Sequence, residues 1–186
     1  MLTENDQKID FGFKTVKKSE KQKLVNKVFS TVADKYDLMN DLTSLGIHRE
    51  WKNNLINWLS PQKNQTLADI AGGTGDLAKK FLRAGGNSAF VIDINKEMIK
   101  TGKVKNHSEK RLKWLLASAE KIPLDDNTFE RATMGFGLRN ITNRVQALKE
   151  VYRILKPGGR FICLEFSHVE NDLFKKLYDF WSFNLM

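Results

Sequence analysis

Gly72-Gly73-Thr74-Gly75, followed at once by Asp76, is the stretch of this chain best suited to hold a small molecule. Glycines leave no Cβ between the backbone and a ligand, and a helix that starts here presents unpaired N–H groups. Asp93 follows about 20 residues later, where a carboxylate can accept hydrogen bonds from two ribose hydroxyls. The chemistry on offer is therefore recognition of a nucleoside-containing molecule.

Three readings of that ligand compete. Gly73-Thr74-Gly75-Asp76-Leu77-Ala78 fits the G-x-G-x-x-G/A pattern of a dinucleotide site. Asp76 opposes it, because a pyrophosphate would rest at the first helical turn, where the helix dipole already stabilises a carboxylate by about 0.3–1 kcal/mol. No Gly-Lys-Ser/Thr follows, so a phosphate loop fails too. An adenosine ligand with a cationic head and no phosphate suits the turn better. S-adenosylmethionine is such a molecule, with its ammonium on Asp69 or Asp76 and its carboxylate on backbone N–H groups. A glycine turn of purely structural role is the third reading.

Other groups gather at strand ends. Ser118 and Ala119 follow an apolar run and are placed to meet an adenine edge by hydroxyl and backbone N–H, or to form a plain turn. Gly135-Phe136-Gly137-Leu138-Arg139-Asn140 puts two glycines and an arginine at a strand's carboxyl end, the functional edge of an α/β sheet. Tyr36, on a helix before the first strand, is a candidate to reach the cofactor.

The positioning elements follow from periodicity. Strands are expected at 67–71, 88–92, 111–116, 130–136 and 160–166, and helices at 76–82, 96–102 and 142–155. Gly85-Gly86 ends the first of these helices, and Lys156-Pro157-Gly158-Gly159 the last. Alternating strands and helices predict an α/β fold: a Rossmann-like parallel sheet with helices on both faces. Two amphipathic helices, 20–40 and 48–59, precede it and should cover the carboxyl edge of the sheet. His48 reads as a helix-start residue. Residues 1–20 read as a loose polar arm docked by Phe11 and Phe13. Lys14, Lys17, Lys18, Lys21 and Lys23 read as a solvated basic face, with lipid headgroups as the sharper alternative. Residues 1–60 thus form arm and cover helices and 61–186 the binding region, within one structural domain.

The 186 residues carry a net charge of +9 and one cysteine, Cys163, which reads as a buried small hydrophobe in a reducing cytosol. The charge admits nucleic acid or an anionic membrane as partner. No zinc spacing, aromatic stacking motif or helix-turn-helix pattern accompanies it, so no nucleic acid and no metal are expected. No apolar run reaches membrane-spanning length. Residues 171–186 carry an apolar stripe, read as a core or lid helix, with a membrane-surface helix as the sharper alternative. The apolar end at Met186 after five strands suggests a fragment.

Longer motifs carry a resemblance. Phe11-Gly12-Phe13, Val28-Phe29-Ser30-Thr31-Val32-Ala33 and Tyr36 to Asp41 are joined by Gly46-Ile47-His48-Arg49-Glu50-Trp51-Lys52. Ala71 to Asp76, Phe136 to Asn140 and Leu155 to Arg160 with Leu164-Glu165-Phe166 extend them. In these the chain closely resembles the ubiquinone/menaquinone biosynthesis C-methyltransferases. The resemblance implies a class I methyltransferase sheet of seven strands, whose last two would follow Met186. It implies S-adenosylmethionine as cofactor and S-adenosylhomocysteine as product. Contacts would come from Gly72, Gly73, Thr74, Gly75, Asp93, Ser118, Ala119, Gly135 and Tyr36. The family usually has Asn-Ala at 118–119, and often a serine where this chain has Gly135. The implied reaction is C-methylation of a polyprenylated benzoquinol of the 2-methoxy-6-polyprenyl-1,4-benzoquinol type, or of demethylmenaquinol. Arg139 would stabilise the phenolate and Asn140 would orient a water base. Phe136, Phe166, Phe174, Tyr178 and Trp181 could form the groove for the tail, or belong to the core. A cytoplasmic enzyme at the inner membrane face, in contact with membrane or a quinone-biosynthesis complex and able to form a homodimer, would fit. A methyltransferase of another small molecule or RNA, and a non-catalytic binding module, stand as alternatives.

Overall fold

The computed structural model describes residues 8–11, 14–32, 41, 44 and 46–165. Its centre is β3 (Thr66–Ile70), buried along nearly its whole length because strands lie on both sides of it and helices on both faces. Numbered in chain order, the elements before it are β1 (Lys8–Phe11), β2 (Lys14–Lys17), α1 (Lys18–Val32) and α2 (Ile47–Leu59). After it come α3 (Asp76–Arg83), β4 (Ser88–Asp93), α4 (Lys96–Lys105) and β5 (Leu112–Leu116). β6 (Phe129–Gly135), a 3-10 turn at Leu138–Asn140, α5 (Arg144–Ile154) and β7 (Leu155–Leu164) complete the described chain. The sheet runs β5-β4-β3-β6-β7, and every pairing in it is parallel.

Alternation along the strands sorts the core into two layers. Leu67 and Val91 point to one face, where Leu55, Ile56, Leu59, Leu77 and Phe81 from α2 and α3 close over them. Ala68, Ile70, Ala132 and Met134 point to the other, under Ala147, Val151 and Ile154 of α5. Each large apolar side chain so enclosed contributes about 1.5–3 kcal/mol. Helix starts follow local chemistry: the Asn95 side chain accepts from the N–H groups of Glu97 and Met98, and Asn143 caps α5 through Gln146.

Several expectations are corrected. The described part of the N-terminal arm is a pair of antiparallel strands, with Phe11 opposite Lys14, and apolar and polar residues alternate along β1 with the period of a strand. Lys156 to Gly159 do not merely stop α5. They form a bulge inside β7, since β6 advances from Phe129 to Arg131 while β7 advances from Leu155 to Arg160. Cys163 is exposed rather than buried, because β7 pairs on one side only among the described residues. Only one of the two cover helices lies over the carboxyl edge: α1 does, whereas α2 packs on a sheet face. His48 is the second residue of α2, with Nδ1 2.7 Å from the Ser44 hydroxyl. Phe166 and residues 171–186, with the aromatic groove and the terminal helix expected there, lie outside the described residues, as does Tyr36.

Candidate active site

The strand order reverses direction at β3: the chain moves to β4 and β5 on one side, then returns to β6 on the other. Ligands of open α/β sheets bind at the carboxyl ends beside such a switch point. A crevice open to solvent lies there. Ala71 and Gly73 beyond β3, Ile92 and Asp93 of β4, Ala117 to Glu120 beyond β5, and Gly135 to Gly137 with Asn140 beyond β6 line it. Val25, Asn26 and Phe29 of α1 close it from above.

The glycines of the first turn divide their work. A Cβ on Gly72 would lie 2.8 Å from the Asp69 carboxylate, whereas one on Gly73, at φ +56°, would meet nothing within 4 Å. Gly73 is thus the open wall of the crevice, and Gly72 is packed against the protein. Gly72→Ala should lower stability by about 2 kcal/mol, a fall of roughly 4–8 °C in Tm in a thermal melt. The N–H groups expected to meet a ligand carboxylate are engaged within the fold. Gly72 donates to Ile92 O at 3.2 Å, Gly73 to Asp93 Oδ2 at 2.8 Å and Gly75 to Gly72 O at 2.9 Å.

Neither aspartate proposed for the ligand's ammonium lines the crevice. Asp69 is fully buried beneath the turn, accepting from Thr133 Oγ1 at 2.9 Å and Ala78 N at 3.2 Å. Burial pushes its carboxyl up to about 7. Asp76 is paired with the buried Lys52 ammonium of α2 at 2.9 Å. Burial works against ionisation of Asp76, but the Lys52 charge outweighs it and holds the carboxyl below its ordinary value. The carboxylate that seemed to repel a diphosphate is therefore partly neutralised by a lysine 24 residues earlier in the chain.

Asp93 does face the crevice. Its Oδ1 accepts from Asn95 N and its Oδ2 from Gly73 N, each at 2.8 Å, which fixes the carboxylate at the mouth of β4. Burial raises its pKa, opposed by those N–H groups. Beyond β5 the Ser118 hydroxyl accepts from Glu120 N at 3.2 Å, and Ser118 O from Lys121 N at 3.1 Å. That turn presents Ser118 and Ala119 to the crevice.

The two loops at the switch point share a further feature. Ala71 and Phe136, the residues just past β3 and β6, are both left-handed, at φ 52° and 55°. Each non-glycine residue held there costs about 1–3 kcal/mol, strain that clusters at functional sites. The turn of Phe136 aims its backbone so that Arg139 sits over its ring, 5.9 Å from the centroid. The guanidinium of Arg139 pairs with Glu165 Oε1 at 2.8 Å, and its backbone N–H donates to Glu165 Oε2 at 3.1 Å. The Asn140 amide donates to Phe136 O at 3.4 Å.

A family model, the ubiE/COQ5 methyltransferase family, matches residues 14–186. The chain belongs to that family. It is 46% identical over 190 residues to the ubiquinone/menaquinone biosynthesis C-methyltransferase UbiE of Ruegeria sp. (strain TM1040), spanning 100% of this chain and 76% of the relative. The protein of the same name in Brucella anthropi is 50% identical over 181 residues, 94% of this chain and 69% of that one. A crystal structure of a SAM-dependent methyltransferase from Aquifex aeolicus shares the fold, with a TM-score of 0.58 at 23% identity over 65% of this chain and 66% of the other. The chain is an S-adenosylmethionine-dependent methyltransferase by family and fold.

In this methyltransferase the crevice gathers Gly73, Asp93, Ser118, Ala119, Gly135 and Asn140 from among the expected site residues. Gly72, Thr74, Gly75 and Arg139 lie outside its lining. Thr74 is turned inward, 5% exposed, with its carbonyl accepting from Asn106 Nδ2 at 3.2 Å. Val25, Asn26, Phe29 and Asn95 were not expected at the site. The apolar stripe of α1 was visible, but a stripe reads alike whether it meets a sheet or a ligand. Lys21 belongs to that stripe as well: it is 3% exposed, not solvated, and its Nζ donates to Arg139 O at 2.9 Å. No group of three or more His, Cys, Asp or Glu suited to a metal ion occurs among the described residues.

Proposed function

We propose that this methyltransferase methylates a ring carbon of a polyprenylated benzoquinol or of demethylmenaquinol. One observation carries the reading: in a chain of this family, the Phe136–Asn140 loop and Asp93 border a single crevice. The residues present fit the adenosine end of S-adenosylmethionine. Gly73 leaves open space, Asp93 offers a fixed carboxylate for the ribose, and Ile92, Ala117 and Ile141 give apolar walls for the adenine. Bound there, the cofactor supplies an electrophilic methyl group, which the quinol carbon takes up with loss of its ring proton.

The chain's own residues align and stabilise. Holding two reactants in line can lower a barrier by about 7–11 kcal/mol, and α1 forms one wall of the crevice in which they would meet. Ser118 and Ala119 would hold the adenine edge. Arg139 would stabilise the phenolate that makes the ring carbon nucleophilic. Its guanidinium carries donors only and no acceptor, so a water held by Asn140 takes the proton. The substrate is a lipid, so the enzyme would meet it at a membrane surface. No described helix is long and apolar enough to cross one.

Asp93→Ala should weaken S-adenosylmethionine binding by about tenfold or more in calorimetry, the loss expected for hydrogen bonds to a charged acceptor. Unchanged affinity would remove its ribose role. The reaction itself is tested by mass spectrometry of quinone precursors in a host lacking the enzyme and supplied with the full-length protein. Disappearance of the unmethylated precursor is expected. Persistence of the precursor, with methyl label instead on RNA or a polar metabolite, overturns the assignment.

A further inference from the structure

We propose that Lys21 is a positioning residue for Arg139, tying the seating of α1 over the crevice to the setting of the Leu138–Asn140 turn. The inference rests on the reading of Arg139 as the cation that stabilises the phenolate. Lys21, Val25 and Phe29 stand at i, i+4 and i+8, on one stripe of α1. Val25 and Phe29 line the crevice, so the face of α1 that closes it also carries the Lys21 ammonium. An ammonium only 3% exposed is tolerated when acceptors replace its water, and Arg139 O lies 2.9 Å from Lys21 Nζ. That contact joins residues 118 positions apart, and it exists only with α1 seated.

Arg139 is gripped from other directions as well. Arg144, at the start of α5, donates through Nη2 to the same carbonyl at 3.3 Å. Glu165, just past β7, takes both the backbone N–H and the guanidinium. The Arg139 peptide is therefore held at its carbonyl by α1 and α5, and at its N–H by the strand exit. Removing Lys21 leaves the carbonyl its Arg144 partner, so the consequence should fall on placement more than on folding. Replacing the lysine by methionine keeps the apolar stem while removing the ammonium.

The test is a double-mutant cycle on the full chain, with radiolabelled S-adenosylmethionine and a short-tailed quinol. Lys21→Met should lower kcat by about 10–50-fold, with cofactor affinity by calorimetry changed less than about threefold. Lys21→Arg, which keeps a cation able to reach the carbonyl, should return kcat to within about threefold of the parent. Added to Arg139→Ala, Lys21→Met should cost less than about threefold more, because a residue acting through Arg139 has nothing left to position. Full additivity in the double variant, or an unchanged kcat in Lys21→Met, overturns the inference. If Lys21→Met melts too early to assay, Lys21→Gln is read by the same criteria. Additivity alongside a collapse in Arg139→Ala alone refutes only the role of Lys21. An unaffected Arg139→Ala refutes the reading of Arg139, and this inference with it.

Discussion

Arg139→Ala should reduce kcat for quinol methylation by about 10²–10³-fold, the scale of losing one preorganised group that stabilises developing anionic charge. Affinity for S-adenosylmethionine should stay within about threefold of the parent, since the cofactor end and the arginine act separately. The geometry separates them: Asp93, Gly73 and Ser118 line the crevice, whereas the guanidinium lies above the Phe136 ring and against Glu165. Loss of the side chain does not strip Glu165 of its contact with the loop, because the backbone N–H at position 139 still donates to Oε2. The fold should therefore survive, as a thermal melt would report. Arg139→Lys should be intermediate, keeping the charge but not the planar fork. The paired measurements are steady-state turnover and calorimetric cofactor binding. A parallel fall in both would assign Arg139 to the cofactor and end its catalytic role.

The second large effect concerns pH and stability. Asp69 titrates near pH 7 in the folded protein against about 3.9 in an unfolded chain. Between those values the folded protein holds a proton that the unfolded chain has released, so stability falls as pH rises. The contribution is complete below about pH 4 and is lost by the time pH has passed through about 7, a swing of about 4 kcal/mol. Asp69→Asn removes it. The amide can still accept from Ala78 N and donate to the Thr133 hydroxyl, whose rotor is free to accept. Denaturant melts of parent and variant should therefore diverge with pH. The variant gains relative stability of about 4 kcal/mol between pH 4 and pH 8. A difference that stays flat within about 1 kcal/mol across that range would show that Asp69 does not change charge on folding. Taking the difference between the two proteins cancels other titrating groups, such as Asp76 and Glu130, whose carboxyls are held low.

Local pattern determined much of this protein. Apolar runs separated by glycine breaks specify the strands and helices to within a few residues, because a strand or helix is a repeat that its own side chains declare. The glycine turn with Asp93 beyond it, and the Phe136–Asn140 loop, marked the carboxyl edge as the candidate site, since close approach and strand-end position are written in residue type and spacing. What the chain order alone could not state is which distant charges meet. Lys52 beside Asp76, Glu165 beside Arg139 and Lys21 on the Arg139 carbonyl are contacts of 24, 26 and 118 residues' separation. Tertiary packing decided them, and with them the fate of each aspartate: Asp69 buried, Asp76 neutralised, Asp93 left facing the crevice. A side chain's charge and availability depend on what lies within a few ångströms, and that neighbourhood exists only once the sheet has been assembled.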